Sequence, residues 1–305
     1  MSSVLVAGNS VLDLHLAVGE EEDSFEPGWS GKNVGFLDTA PEIVLGGNGA
    51  ATAYVLGQLG VPVTLNSSIG QDVLGDVVEQ WLTGVGVTLA RPRSGRSPVN
   101  VVRSRGSDGA RLSSFYPGEK IDWETGLNDA SVGWFFTSGY GGVLESDFKP
   151  LVSAFEMAKS KGMRVAFDPG PWFSRCVEAS TFRASVPLLD VLTGTEDELS
   201  TWSDAKSAAE LIDDFIELGA RRVIVKLGKE GAAFGGESGS RGEVRGRPME
   251  GVHAVGAGDT FNGTLMAGLV RSQPLAACVE SAVERAERAV RSGRGVLGAF
   301  EQPDR

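Results

Sequence analysis

Residues 63–82 read VTLNSSIGQDVLGDVVEQWL. The short apolar run Val63–Leu65 has the length of a buried strand, whereas Val73–Leu82 has helical spacing, with Asp72 in the position of an N-cap. A buried strand followed by a helix is the unit from which proteins with parallel sheets are built. The stretch therefore predicts a strand–loop–helix unit.

The same unit recurs along the chain. Further apolar runs of strand length, rich in Val and Phe, occur at Val4–Ala7, Trp134–Phe136, Val165–Phe167 and Val223–Leu227. Further stretches with helical spacing occur at Ala50–Leu59, Leu151–Lys159, Ala205–Leu218, Thr260–Val270 and Leu275–Val290. This alternation predicts an α/β fold with a mostly parallel sheet and helices on both of its faces. Such a sheet binds its ligands beyond the carboxyl ends of the strands.

Two segments, residues 14–45 and 87–117, interrupt the alternation. Their apolar runs are separated by turn sequences, which is typical of antiparallel hairpins. These runs are Leu14–Val18, Val34–Leu37, Val87–Leu89, Pro98–Arg105 and Arg111–Tyr116. The two segments are expected either to pair as a small β-sheet lid over the main sheet or to be surface decoration. No repeat or linker divides the chain, so residues 1–305 are predicted to form a single domain.

The composition narrows the class of partner. Of 305 residues, 28 are Lys or Arg and 40 are Asp or Glu, which gives a formal net charge of −12. This charge argues against binding to nucleic acid or to an anionic membrane, but not against a small anion held by backbone N–H groups. Cys176 and Cys278 are too few for a disulfide framework, and no apolar run approaches the ~18 residues of a membrane span. We therefore expect a cytoplasmic protein that acts on small molecules.

The predicted helix Thr260–Val270 is opened by the segment Val255-Gly256-Ala257-Gly258-Asp259-Thr260-Phe261-Asn262-Gly263. Its three small residues leave their N–H groups and the helix N-terminus facing one point, which favours an anion hole for a transferring phosphoryl group. Asp259 stands at the rim, where a carboxylate can take a proton from a substrate hydroxyl. The alternative is that Asp259 is only the N-cap of the helix, although a cap does not need the three small residues.

Three further groups stand beside predicted strands and helices. Gly46-Gly47-Asn48 is consistent with a tight turn before a cap at Asn48. Asp13 can fix sugar hydroxyls or be a turn residue. Thr195–Glu198 can surround a magnesium ion or begin a helix with favourable acidic residues. They are candidates because each falls where the predicted sheet would bind a ligand.

Together these motifs resemble the ribokinase-like (PfkB) carbohydrate kinase family, in order and over nearly the whole chain. The matching residues are the first strand through Gly8 and Asp13, the diglycine Gly46-Gly47, the pattern Gly70-x-Asp72-x-x-Gly75, the segment Asp190–Glu198 and Gly256-Ala-Gly-Asp259. The last of these is identical to the core of the family's C-terminal signature. The resemblance implies a doubly wound sheet with a small β-sheet lid, the use of ATP and Mg²⁺, and Asp259 as catalytic base.

The resemblance also implies roles for particular residues. The sugar would be held by Asp13, Gly46, Gly47 and Asn48. The transferring group would be stabilised by Gly256, Ala257 and Gly258, and Mg²⁺ would be organised by Glu198. The nucleotide would lie near Thr195, Glu198, Lys226, Gly228 and Gly231.

Four positions depart from the family pattern. Thr195 stands where the family usually has Asn, so Glu198 alone carries that motif. Ala51 and Val11 stand where sugar-binding Asn residues are common, which leaves the identity of the sugar open. His253 stands where an Asp usually begins the signature, in a loop that builds a monovalent-cation site in several members, so activation by potassium is open as well.

The sugar is expected to be uncharged, because no Lys or Arg lies around Asp13 or within residues 46–51 to pair with a phosphate. Cations could still come from the second inserted segment, at Arg103, Arg105 and Arg111.

Two alternatives stay open. One is a nucleoside kinase of the same family, in which Trp29 and Phe36 would stack on a base. The other is a sugar-binding regulator without turnover, because Thr195 and His253 weaken two family motifs. The resemblance also allows a homodimer through the lids.

Overall fold

The structure, a computed structural model, describes residues 2–18, 37, 39–105, 111–139, 145–236, 239–247 and 255–301. The strands are β1 (Ser3–Ala7), β2 (Val11–Val18), β3 (Glu42–Gly46), β4 (Val63–Asn66), β5 (Val87–Leu89), β6 (Val99–Arg105), β7 (Arg111–Tyr116), β8 (Val132–Ser138), β9 (Arg164–Asp168), β10 (Val191–Thr195), β11 (Arg222–Lys226), β12 (Gly231–Gly236) and β13 (Arg241–Arg245). The helices are α1 (Asn48–Gln58), α2 (Val73–Gly84), α3 (Glu145–Ser160), α4 (Gly170–Cys176), α5 (Ala179–Ser185), α6 (Glu196–Ser200), α7 (Ala208–Glu217), α8 (Ala257–Val270), α9 (Leu275–Ser292) and α10 (Gly295–Gly298).

The large sheet, as far as the described ranges show it, has nine strands in the order β13-β12-β11-β10-β9-β8-β1-β4-β5. The strands from β11 to β5 pair in parallel, and β12 and β13 add an antiparallel edge. Each of the five predicted strand runs falls on one of these strands, which confirms the mostly parallel sheet. The strand order reverses at β1, which lies between β4 and β8, and open α/β sheets bind ligands at such a point.

Helices cover both faces of this sheet, as β1 shows. Val4 and Val6 point into a core that they share with α1, α2, α8 and α9. Leu5 and Ala7 point to the other face, into a core shared with α3, α5 and α7. Successive side chains of a strand lie on opposite faces. A strand that is apolar at every position therefore needs helices on both sides, and the doubly wound arrangement supplies them.

A separate small sheet has the order β3-β2-β6-β7. Its outer pairs are antiparallel, but β2 and β6 run parallel to each other. The predicted lid is therefore present as a mixed sheet and not as antiparallel hairpins alone. In the first segment the second strand is Glu42–Gly46, since Leu37 is not in a strand and residues 34–36 lie outside the described ranges.

The prediction that Val87–Leu89 belong to an antiparallel hairpin of the second inserted segment is wrong. These residues form β5 at the edge of the large sheet, where they run parallel to β4. Helix α2 connects β4 to β5, so the three elements form a strand–helix–strand unit. Val87 pairs with Val63 and is buried in the same core. The second lid segment therefore begins after β5.

The first turn of α2 agrees with its sequence. Asp72 is the N-cap, and its side chain accepts a hydrogen bond from the N–H of Gly75 at 2.9 Å. Its other oxygen accepts the N–H of Ser97 at 3.0 Å, which ties the helix to the base of the small sheet. None of the helices in the described ranges is long and apolar enough to cross a membrane.

Candidate active site

A cleft of about 1120 Å³ separates the small sheet from the carboxyl ends of the central strands. Most of the residues singled out in the sequence line it. Asp13 and Gly46 come from the small sheet, and Gly47 follows it directly. Thr195 and Lys226 come from the ends of β10 and β11, and Glu198 comes from α6. The start of α8 contributes Gly256, Gly258 and Asp259. The fold thus brings together groups that are up to 246 positions apart in the sequence, from Asp13 to Asp259.

Asp13 lies on the cleft side of β2, in register with Asn100 of β6. Asp13 is 9% exposed, and the side chain of Asn100 hydrogen-bonds to it. Burial, with a smaller contribution from the negative charge of Asp259, raises the pKa of the Asp13 carboxyl to about 7, against the lowering effect of the Asn100 hydrogen bond. A carboxyl group with this pKa can either donate or accept a hydrogen bond near neutral pH, which suits a sugar hydroxyl.

The diglycine makes room for this carboxyl group. A Cβ atom on Gly46 would overlap the carboxylate of Asp13. Gly47 has a φ of +79°, and a Cβ atom there would lie 2.5 Å from the carbonyl oxygen of Asn9. Any side chain at either position would therefore displace Asp13 or the loop after β1.

The side chain of Asn48 has a structural role, because it hydrogen-bonds to backbone groups. Its Nδ2 donates to the carbonyl oxygen of Ser138 at 2.5 Å, and its Oδ1 accepts the N–H groups of Asn9 at 2.9 Å and Gly49 at 2.8 Å. It is buried and does not line the cleft, and the N-cap of α1 is Gly47. The amide of Asn48 therefore joins the ends of β1 and β8 beneath the predicted sugar site, and it is not the cap that the turn sequence favoured.

The start of α8 has the geometry expected of an anion hole. Gly256 is the N-cap in the left-handed conformation, with a φ of +74°, and Ala257 and Gly258 form the first turn. Asp259 is the third helical residue, so its interpretation as the N-cap is wrong. Burial and the charge of Asp168 raise the pKa of Asp259 to about 6, and Lys226 opposes that rise. Near neutral pH this carboxylate is ionised and still able to accept a proton.

Glu198 and Thr195 form a capping box at the start of α6. The Thr195 hydroxyl accepts the N–H of Glu198 at 3.3 Å, and Glu198 Oε2 accepts the N–H of Thr195 at 2.8 Å. Burial and the charge of Asp168 raise the pKa of Glu198, while Lys226 lowers it. Glu198 therefore begins a helix, as one interpretation predicts. It also lines the cleft, and its role with magnesium stays a prediction.

A resident metal cage is absent from the ranges that the structure covers, since no three His, Cys, Asp or Glu side chains there converge on one point. Mg²⁺ rarely needs such a cage, because one or two carboxylates and the phosphates of a substrate complete its shell. Glu198 lines the cleft and supplies oxygen ligands of this kind. The residues present therefore fit a magnesium ion that arrives with a nucleotide.

Two of the predicted nucleotide residues do not reach the cleft. Gly228, with a φ of +58°, belongs to the turn after β11. Gly231, with a φ of +107°, begins β12, and a Cβ atom there would overlap the carbonyl oxygen of Val244. Both glycines shape the β11–β12 turn. Lys226, two residues before that turn, is the member of the group that lines the cleft.

Several sequence predictions fall outside the described residues: Trp29, Phe36, His253 and the side chains of Arg105 and Arg111. Arg103 is described, and its register with Leu16 puts it on the face of the small sheet opposite Asp13. Arg103 therefore cannot supply a cation to the sugar end of the cleft.

The structure also adds residues to the site that sequence reasoning missed. Asn100, Lys120, Asp168, Trp172 and Arg175 all line the cleft. The sequence contained one usable signal, because Asp168 directly follows the predicted strand Val165–Phe167 at the ligand-binding end of the sheet. Asn100 becomes visible only through the pairing of β6 with β2.

A glycine-rich helix start beside an ionisable carboxylate, at the carboxyl edge of an open α/β sheet, provides what a phosphotransferase needs to stabilise a transferring phosphoryl group. The chain belongs to the pfkB family of carbohydrate kinases, whose family model matches residues 29–297. Ribokinase from Staphylococcus aureus (strain COL) is 24% identical over 287 residues, which are 89% of this chain and 88% of that protein.

Solved structures have the same fold. Arabidopsis thaliana ribokinase complexed with ribose and ATP superposes with a TM-score of 0.76 at 19% identity, over 97% of this chain and 95% of that one. Methanocaldococcus jannaschii nucleoside kinase, an archaeal member of the ribokinase family, superposes with a TM-score of 0.76 at 17% identity, over 97% of this chain and 93% of that one. The fold thus serves both sugar and nucleoside kinases, and the family makes this protein a phosphotransferase.

Proposed function

We propose that this protein transfers the γ-phosphoryl group of ATP to a hydroxyl group of an uncharged monosaccharide, with Asp259 as general base. The observation that carries the proposal is the position of Asp259 in the first turn of α8. There it shares one cleft with the backbone of Gly256 and Gly258 and with Asp13.

In this mechanism Asp13 holds the sugar through its hydroxyl groups, with Gly46 and Gly47 allowing close approach. The acceptor hydroxyl loses its proton to Asp259 as its oxygen bonds to the γ-phosphorus, and the bond to the bridging oxygen of ADP breaks. The N–H groups at the start of α8 face the charge that develops on the transferring group. Because these donors are fixed before the reaction, they need no reorganisation during it.

The nucleotide end of the cleft would be formed by Thr195, Glu198 and Lys226, with Gly228 and Gly231 shaping the turn that follows. Glu198 would ligate Mg²⁺, which neutralises charge on the β- and γ-phosphate oxygens when it is bound. The ammonium group of Lys226 would face the same phosphates. Activation by potassium stays a prediction from the resemblance, since His253 lies outside the described residues.

An uncharged sugar is supported by the face of the small sheet around Asp13. The cleft-lining neighbours there include His15, Asn100, Val102 and Phe115, and none of these is a lysine or an arginine. Lys120 also lines the cleft, but it lies 3.9 Å from Asp147 and its side chain is 74% exposed. Arg175 lines it from α4, across the cleft from the small sheet.

A nucleoside is the second candidate substrate, and exposed aromatic rings favour it. Trp172 is 45% exposed and Phe115 is 38% exposed, and both line the cleft. Flat rings of this kind can stack on a nucleobase as well as on a sugar. A regulator without turnover is less well supported, because the Gly-Ala-Gly-Asp segment is intact.

ADP release tests the proposal most broadly. Purified protein with Mg·ATP is offered neutral monosaccharides, sugar phosphates, sugar acids and nucleosides, with an acceptor-free reaction as the background. We expect release above background with at least one neutral sugar. A preference for a phosphorylated or acidic sugar would contradict the uncharged substrate, and a preference for nucleosides would favour the second candidate. Ligand binding without turnover across the whole panel would indicate a regulator.

We further propose a cytoplasmic homodimer that pairs through the outer faces of the small sheets. That face, opposite Asp13, carries apolar side chains from all four strands, among them Ile43, Leu14, Val101 and Leu112. Ile43 and Leu112 are 48% and 54% exposed. A second copy of the sheet would cover them, since exposed apolar patches mark association surfaces.

A further inference from the structure

Asp168 is a buried carboxylate at the floor of the cleft, and it accepts three hydrogen bonds. Lys226 Nζ and Asn262 Nδ2 each donate to its Oδ2 at 2.6 Å, and the N–H of Gly170 donates to its Oδ1 at 3.1 Å. Asp168 is 3% exposed and Asn262 is 1% exposed. The bonds join the ends of β9 and β11 to the second turn of α8, so they connect three elements that surround the reaction site.

The ion pair between Asp168 and Lys226 lies beside the glycine-rich start of α8. A Cβ atom on Gly258 would be 4.0 Å from Lys226 Nζ, so the ammonium group reaches the backbone that would face the transferring phosphoryl group. Lysine has a flexible four-carbon stem, and fixing its end costs rotamer entropy. A carboxylate that already holds Nζ removes this freedom before the substrates bind.

The same carboxylate keeps Lys226 charged. Burial alone would lower the pKa of this lysine, but Asp168, followed by Glu198 and Asp259, holds it above its ordinary value. Without Asp168, the amine would lose both its hydrogen-bond acceptor and its nearest negative charge.

We propose that Asp168 is a positioning residue: it holds the ammonium group of Lys226 against the start of α8, and Asn262 fixes the carboxylate in turn. The proposal rests on the proposed function, because the phosphoryl group is what Lys226 is positioned to meet. Asp168 acts through Lys226 and needs no contact with the transferring group itself.

The substitution Asp168→Asn tests this directly. An amide has one acceptor end and one donor end, so it cannot accept from Lys226, Asn262 and Gly170 at once. We expect kcat to fall about 10- to 100-fold, the scale of loss that a displacement of about 1 Å causes in a positioned group. KM for the sugar should stay close to that of the wild type, because Asp13 is untouched.

A double-mutant cycle with Lys226→Met separates positioning from general stabilisation. If Asp168 acts through Lys226, the double variant will be no slower than Lys226→Met alone. If the loss of kcat in the double variant equals the product of the losses in the two single variants, the residues act independently and the proposal is overturned. Should Asp168→Asn fail to fold, Asn262→Ala takes its place, since it removes one donor and keeps the carboxylate; an unchanged kcat in that variant would also count against the proposal.

Asp190→Asn is the matched control. Asp190 is buried like Asp168, with 2% exposure, and it accepts hydrogen bonds from Lys159 at 2.7 Å and from the N–H of Val165 at 2.8 Å. It precedes β10, however, at the end of the sheet opposite the cleft. We expect its substitution to lower Tm and leave kcat unchanged. A fall in kcat as large as that of Asp168→Asn would show that any lost buried ion pair slows the protein, and would overturn the proposal.

Acylation by acetic anhydride, followed by mass spectrometry, tests the contact without turnover. Only the free amine reacts, so a lysine held by a carboxylate reacts slowly. Asp168→Asn should raise the rate at Lys226 several-fold and leave Lys159 unchanged, and Asp190→Asn should do the reverse. An unchanged rate at Lys226 in folded Asp168→Asn would contradict the proposal. If both variants show these acylation rates but the wild type transfers no phosphoryl group, the contact would be confirmed and the proposed function would be contradicted instead.

Discussion

The position of the Asp13 carboxyl group at the predicted sugar end of the cleft depends on two neighbouring residues, Gly46 and Asn100. The carboxyl group occupies the space that a side chain on Gly46 would take, and Asn100 reaches it from the neighbouring strand. Burying a carboxyl group disfavours its ionised form, so ionisation of this group lowers the free energy of unfolding. The stability of the protein should therefore depend on the protonation of this residue.

We expect Asp13→Asn to have a higher free energy of unfolding than the wild type, by a difference that grows as the pH rises. The pKa of Asp13 is about 7 in the folded protein against an ordinary 3.8, so between these values the folded state holds a proton that the unfolded state has lost. By linkage, this residue makes the wild type lose stability as the pH rises through that window, whereas the variant has no such loss. The difference should reach at most about 4 kcal/mol, since each pKa unit is worth about 1.4 kcal/mol.

Urea unfolding of both proteins from pH 5 to pH 8 measures this difference in the free energy of unfolding, because all other titrating groups are shared. A difference that stays constant over the range, or one that shrinks as the pH rises, would contradict the raised pKa.

At the residue scale the sequence predicts the groups that belong to local motifs and misses those that depend on pairing. Gly46, Gly47 and Asp259 are visible because their neighbours in the sequence carry the signal. Asp168 meets Asn262 across 94 positions, and no local pattern records that contact. The resemblance places Asn48 at the sugar, whereas its amide bonds to backbone groups, a use that only the packing of β1 against β8 reveals.

At the scale of elements, β5 shows the limit of reading strands from short runs. Three residues carry too little pattern to distinguish a hairpin strand from the edge of a parallel sheet. The deciding feature is α2, which precedes β5 and returns the chain to the side of β4. The sequence predicts the small sheet as an inserted element, but its parallel β2–β6 pair joins segments far apart in the chain and has no local signature.

The outer face of the small sheet allows a test of assembly. We expect the wild type to sediment as a dimer at micromolar concentration and Leu112→Lys to sediment as a monomer, because a charge buried in an apolar interface without a partner is costly. Ala184→Lys, on the exposed surface of α5, adds the same charge elsewhere and should stay dimeric. A monomeric wild type, or a Leu112→Lys variant with the mass of the wild type, would contradict the proposed dimer.

At the scale of the whole molecule, the sheet topology accounts for the position of the cleft. The order of strands reverses at β1, and residues at or just after the ends of β1, β8, β9 and β10 line the cleft. The α/β class and this edge of the sheet followed from the alternation of apolar runs and helical stretches. The small sheet's position over the edge, and hence the closure of the cleft, depends on contacts between distant segments.

The acidic character of the chain extends into the cleft. Asp13, Glu119, Asp147, Asp168, Glu198 and Asp259 line it, against Lys120, Arg175 and Lys226 among the described cations. A neutral acceptor and a nucleotide that brings its own Mg²⁺ suit such a cleft, because neither adds unpaired negative charge to it. Phosphoryl transfer in this cleft then depends on one of these carboxylates, Asp259, acting as a base in the proposed mechanism.

Asp259→Asn tests that claim. Because Asp259 is the third residue of α8 and not its cap, the amide should change the free energy of unfolding by less than about 1 kcal/mol. It cannot accept the hydroxyl proton, and the loss of a general base lowers kcat about 10²- to 10⁴-fold. Glu210→Gln is the matched control, since Glu210 holds the same third position in α7, on the exposed surface.

The measurement is kcat for phosphoryl transfer, taken with the ATP dissociation constant and Tm on the same preparations of wild type, Asp259→Asn and Glu210→Gln. We expect a loss of kcat in Asp259→Asn alone, with ATP binding kept or slightly tightened because a negative charge beside the phosphates is gone. A folded Asp259→Asn variant that turns over at the rate of the wild type would contradict the proposed mechanism.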